Sequence, residues 1–72
     1  MDTKRNKNSL HTAAVAHYDA KIKEAKAHLE IYFSNSVGIG EHSNLLEEVK
    51  KWTTSLAEAQ ECYDILLANF DS

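Results

Sequence analysis

The chain contains no proline, two glycines, and one residue each of cysteine, methionine and tryptophan. Each scarcity excludes something. Without proline, no position is barred from a helix interior by a missing N–H and a ring clash. The two glycines, Gly38 and Gly40, fall in one short stretch, so backbone freedom is concentrated at one place. A single cysteine makes no intrachain disulfide and no cysteine-based zinc site. No apolar run approaches the ~20 residues needed to span a bilayer. The N-terminus lacks the apolar core of a signal peptide. Together with the lone thiol, this makes the cytoplasm the expected compartment. The 72 residues are too few for a doubly wound sheet, a barrel or a two-domain cleft. Chains of this size bury little surface alone and commonly need a staple or a partner.

The net charge of −3 hides an asymmetry. Residues 1–28 carry Lys4, Arg5, Lys7, Lys21, Lys23 and Lys26 against Asp2, Asp19 and Glu24, a balance of +3. Residues 29–72 carry Lys50 and Lys51 against eight carboxylates, a balance of −6. A net-acidic protein is a poor general binder of nucleic acid. The three cations of the first eight residues support only a weak, salt-sensitive contact of that kind. Residues 1–8 contain no apolar residue after Met1 and read as a flexible basic arm.

Periodicity begins at Ser9. Val15, Tyr18, Ile22, Ala25, Leu29 and Tyr32 recur at alternating spacings of three and four, an apolar stripe on a helix expected over about 9–34. Six alanines between Ala13 and Ala27 add helix propensity. Asp19 and Lys23 stand one turn apart as a favourable pair. Ser34, Asn35 and Ser36 end this helix, and the connection is expected over about 35–43. Asn44 with Glu47 resembles a capping box at the start of a second helix, expected over about 44–70. Its stripe is Leu45, Val49, Trp52, Leu56, Ala59, Tyr63, Leu66 and Phe70. The fold class predicted is all-α: an antiparallel two-helix hairpin over 9–72 with coiled-coil-like packing. Folding the chain about its connection places side by side residues whose numbers total about 78. Ile22 then meets Leu56, and the rings of Trp52 and Tyr18 meet Ala25 and Ala59. Large facing small fills a seam without voids.

One seam does not consume all the apolar residues. Leu46, Cys62, Ile65 and Leu67 lie off the second stripe, and Leu10, Ile31 and Phe33 off the first. A contiguous exposed apolar face marks an interface, so a homodimer or higher oligomer is expected, with two hairpins forming a four-helix bundle. Leu46, Cys62 and Ile65 are the candidate self-interface.

Candidate sites for chemistry are sparse. Gly38 and Gly40 precede a helix start, where exposed N–H groups bind anions. With His42, Ser43 and Asn44 they could hold a phosphate or nucleotide. No strand precedes the glycines and no lysine follows, so neither nucleotide fingerprint is met. A plain helix-to-helix connection explains the same residues. His17 and His28 share a face but stand ~16 Å apart, too far for one metal, and the four histidines read as solvated. No metal or other cofactor is implied. Cys62 has no basic neighbour within one turn, only Glu58, Glu61 and Asp64, surroundings unsuited to a nucleophile. No triad or enclosed carboxylate pair occurs, and an enzyme is not expected. Tyr32 and Phe33, with Val37 and Ile39, could form an apolar anchor for a partner protein at the connection end.

The stretch from Leu29 to Asn44 carries Val37-Gly38-Ile39-Gly40-Glu41-His42 between an aromatic helix end and the acidic run Glu47-Glu48-Val49. This resembles the helix–VGIGEH–helix core of small accessory proteins of tailed bacteriophages, over about residues 22–66. The resemblance implies a phage-encoded, non-structural product of the host cytoplasm that binds a host protein or blunts a host defence. It transfers no activity. Two readings follow: a protein that acts by protein–protein interaction, and an oligomeric binder of a phosphate-bearing signal at Gly38–Asn44.

Overall fold

The computed structural model describes the backbone of residues 3–34 and 44–70, with side chains from residue 9 onward within those spans. Two helices account for nearly all of it: α1, Thr3–Ser34, and α2, Leu45–Phe70. They pack along their length into a rod of 57 × 19 × 15 Å. Among the described residues there is no strand.

α1 starts six residues before the expected position. Thr3–Asn8, expected as part of a flexible arm over residues 1–8, continue the helix backwards, and residues 1–2 lie outside the described residues. The physical reason is propensity. Lys4, Arg5 and Lys7 are good helix formers, and no glycine or proline interrupts them. The absence of an apolar stripe there removes a reason for burial, not a reason for helicity. At the other end, the Ser34 hydroxyl donates to the Glu30 carbonyl in the last turn, a local bond that competes with continued helix. The start of α2 agrees with expectation to one residue. Asn44 precedes the helix and its carbonyl accepts from the Glu48 N–H at 3.0 Å, the first bond of α2. The Glu47 carboxylate turns to Lys50 Nζ at 3.4 Å. Glu47 and Glu48 sit in the first turn, where negative charge complements the helix dipole. The expected connection 35–43 lies outside the described residues.

The antiparallel register is set by contacts at both ends. His11 Nε2 donates to the Leu66 carbonyl at 3.1 Å. Tyr32 donates to Glu48 Oε1 at 3.2 Å, and the His28 and Trp52 rings stack at 3.9 Å. Partner numbers total 77 to 80 along the whole seam, close to the 78 read from the stripes. Among the described residues only Ile22, Ala25 and Ala59 are buried. Two of these are the alanines expected to face the large rings. Small side chains let two helix backbones approach closely, and the large rings then lie over the gap from either side. Ala25 has no exposed surface at all, so nothing larger fits without prising the helices apart. Ala25→Leu is therefore expected to cost about 1–3 kcal/mol through overpacking. Thermal unfolding followed by circular dichroism measures it. An unchanged midpoint would show that the helices are not in close approach at this level.

By this register Phe70 lies level with residues 8–10 of α1. Thr3–Lys7 therefore extend past the end of α2.

A candidate interaction site at the connection end

The two long edges of the seam differ in kind. One edge is closed by aromatic and polar side chains. On α1, Ala14, Lys21 and His28 recur every seven residues along it; on α2, Glu48, Ser55, Cys62 and Asn69 do the same. His28 stacks on Trp52 with 6° between the ring planes. Lys51 Nζ also lies over the indole, 5.1 Å from its centroid, a distance that suits a cation–π contact. Tyr32 reaches Glu48 across the seam, and the His28 ring is tilted against it with centroids 6.3 Å apart. Further along, His17 sets its ring edge-on to Tyr18 at 4.8 Å. Cys62 is half-buried on this edge.

The phenols report these surroundings. Burial raises the Tyr32 hydroxyl above its ordinary value, and its bond to the Glu48 carboxylate raises it further. The Trp52 N–H opposes this weakly from close by without completing a hydrogen bond, and it is left as a buried donor without a partner among the described residues. Hydrogen bonding with Cys62 leads the causes that raise Tyr18, followed by charge and burial. Lys23 is raised chiefly by its bond to Asp19, at 2.9 Å on the exposed surface.

The other edge is open. Thr12, Asp19, Lys26 and Phe33 recur along α1, and Leu46, Thr53, Gln60 and Leu67 along α2. Between them lies a groove of about 530 Å³ that exposes His11, Val15 and Tyr63 beside Thr12 and Leu67. At the connection end of the same edge stand Phe33, 68% exposed, and Leu46, 63% exposed.

The expected site residues are thus distributed unevenly. Tyr32 is half-buried and engaged with Glu48, and Phe33 beside it is free to solvent. Val37, Ile39, Gly38, Gly40, His42 and Ser43 lie outside the described residues. Asn44 is exposed. Leu46 is on the open edge, Cys62 on the closed edge, and Ile65 points away from the seam beside Ala57 and Ala68. No single flat face carries all three. Cys62 and Leu46 are also about 24 Å apart along α2.

Sequence reading missed two histidines, read as solvated. His28 follows Ala25 by three positions, which puts it on the seam's shoulder opposite Trp52, a signal present in the register itself. His11 sits one turn before Val15 and meets the last turn of α2, where a donor complements the helix end. Among the described residues, no group of three His, Cys, Asp or Glu side chains gathers as a metal site would require. No described helix is long and apolar enough to cross a membrane. Comparison with known proteins finds no family model, no curated relative and no solved structure that matches the chain.

Two expectations follow. His28→Ala uncovers one face of the only tryptophan, so its fluorescence maximum moves to longer wavelength, with a stability loss of about 0.5–1.5 kcal/mol. An unshifted spectrum would contradict the stack. The alkaline limb is the second. Tyr18, Tyr32 and Lys23 all hold their protons more tightly folded than unfolded. Their contribution is complete below the ordinary values of 10.0 and 10.5 and is lost as pH rises through the higher folded values. The melting temperature should fall above about pH 10, and Tyr32→Phe should make that fall shallower. A parallel decline in the variant would remove Tyr32 from the account.

Proposed function

We propose that the chain is a non-catalytic protein–protein interaction module that assembles with itself and presents its connection end to a partner protein. One observation carries this reading: among the described residues seven large apolar side chains, including Phe33 and Leu46, stand exposed while three residues are buried. A rod with so little interior gains more from covering its surface than from any further internal packing. The grooves on it are shallow and open, and neither gathers the convergent polar groups expected of a small-molecule pocket.

The partner-facing residues are Tyr32 and Phe33, with Val37 and Ile39 beyond them. Tyr32 is held by Glu48 and backed by the His28–Trp52 stack, so little side-chain freedom remains to be lost on binding. Phe33 adds exposed apolar surface at the same end of the single hairpin, surface that a partner or a second copy would desolvate. The resemblance to accessory proteins of tailed phages supports a bacterial host protein as the partner and the host cytoplasm as the compartment.

The test is a paired capture from a bacterial lysate, with the wild type and a Tyr32→Ala/Phe33→Ala double variant as baits. A protein retained by the wild type and lost from the variant is the expected result, provided that both baits show the same helix content. Identical retained sets would exclude these residues as the anchor.

A further inference from the structure

The open edge of the hairpin has a pattern that its closed edge lacks: it is complementary to itself. Its α1 column reads Thr12, Asp19, Lys26, Phe33, and its α2 column reads Leu46, Thr53, Gln60, Leu67. The middle of the first column falls between Ile22 and Lys23, and that of the second between Leu56 and Ala57. Ile22 and Leu56 are level across the seam, so both columns turn over about one point of the rod. We propose that two copies of the chain pack through this edge, related by a two-fold axis that crosses the rod at that level, with their helices antiparallel across the interface. The inference rests on the reading of the chain as a self-assembling module and names the surface and the geometry.

The chemistry matches under that rotation. Lys26 meets Asp19 of the second copy, twice: Asp19 holds Lys23 of its own helix through Oδ2 at 2.9 Å and turns its other oxygen, Oδ1, to the incoming lysine, so opposite charges meet across the edge. Thr53 meets Gln60. Leu46 meets Leu67, apolar against apolar. Phe33 arrives at the level of Thr12, where the groove of about 530 Å³ exposes Val15 and Tyr63. The projecting ring and the groove are about 31 Å apart along one rod, so neither can serve the other within a chain. The two-fold engages both pairs at once, as an isologous interface must. The other two-fold, along the rod, would set Phe33 against Leu46 at the same end. It would leave both grooves empty and Lys26 opposite Thr53. The closed edge offers no comparable pairing, because its aromatic groups are already engaged within the hairpin.

Burial supplies the drive. Among its described residues the hairpin encloses only Ile22, Ala25 and Ala59, whereas its half-exposed Val15 and Tyr63 line the open edge. Covering that edge turns one seam into the interior of a four-helix bundle.

The test combines mass and cross-linking. Light scattering of the wild type is expected to give twice the chain mass. Phe33→Glu and Leu46→Glu are each expected to raise the dimer dissociation constant by roughly thirty-fold or more. Both side chains are exposed in the hairpin, so helix content stays unchanged. Ile65→Glu, equally apolar but off the edge, leaves the dimer intact. In a Cys62→Ser background, Asp19→Cys with Lys26→Cys forms a covalent dimer on oxidation. The two positions lie about 10 Å apart on one helix, too far for an internal disulfide. Neither single cysteine cross-links. A monomeric wild type at about millimolar concentration would overturn the proposal. So would a dimer broken by Ile65→Glu alone, or one in which the paired cysteines fail to link. Because Phe33 belongs to this edge, the capture is repeated with Tyr32→Ala alone as bait: Tyr32 faces Glu48 on the closed edge, so that variant keeps the dimer and reads the partner separately from the self-interface.

Discussion

The close approach of α1 and α2 at Ala25 and Ala59 is the contact on which the rest of the hairpin depends. Two methyl groups, neither with room to spare, bring the helix axes close enough for side chains on both edges to reach across. Only then can Tyr32 touch Glu48 and His11 reach the Leu66 carbonyl. The large side chains are displaced to the margins of the seam. Trp52 lies half-buried there and finds its cover in a histidine ring instead of an aliphatic core. This is how a chain with almost no interior obtains a defined register: the specificity sits on the edges.

The asymmetry of those edges follows from the same constraint. In an antiparallel pair, residues flanking the stripe on one side of α1 meet those flanking it on the same side of α2. One side received His28, Glu48 and Cys62, groups that hydrogen-bond, stack or shade one another. The other received threonine, opposite charges and apolar ends, which do not satisfy one another within the chain. The acidic bias of α2 and the lysines of α1 add little to the hairpin itself. The ion pairs at Asp19–Lys23 and Glu47–Lys50 are local to one helix and exposed, the kind worth least to stability.

The hairpin was legible because its signals are local and redundant. Period, alanine content and the single glycine cluster all point to two helices, and the stripes fix their register. The extension of α1 through Thr3–Asn8 is less legible, because no apolar stripe marks it and only the propensity of lysine and arginine favours helix there. His28 and His11 were misread because a histidine is amphipathic. Its ring is judged by what lies opposite, and that is known only once the register is applied residue by residue. The grouping of Leu46, Cys62 and Ile65 failed to form one face for a simpler reason: being off the stripe does not specify on which side.

The distribution of cross-seam contacts also sets an order of assembly. Tyr32 and Glu48 are 16 residues apart in sequence, whereas His11 and Leu66 are 55 apart. Closing a short loop costs less chain entropy than closing a long one. Each contact formed near Tyr32 shortens the loop that the next must close, so the pair behaves as a zip that starts beside the connection and runs outward. His11 is then the last tooth to engage and the first to release. On this ordering the far end of the rod opens more readily than the aromatic end, and exchange of backbone amides with solvent is expected to be graded along the length of the molecule.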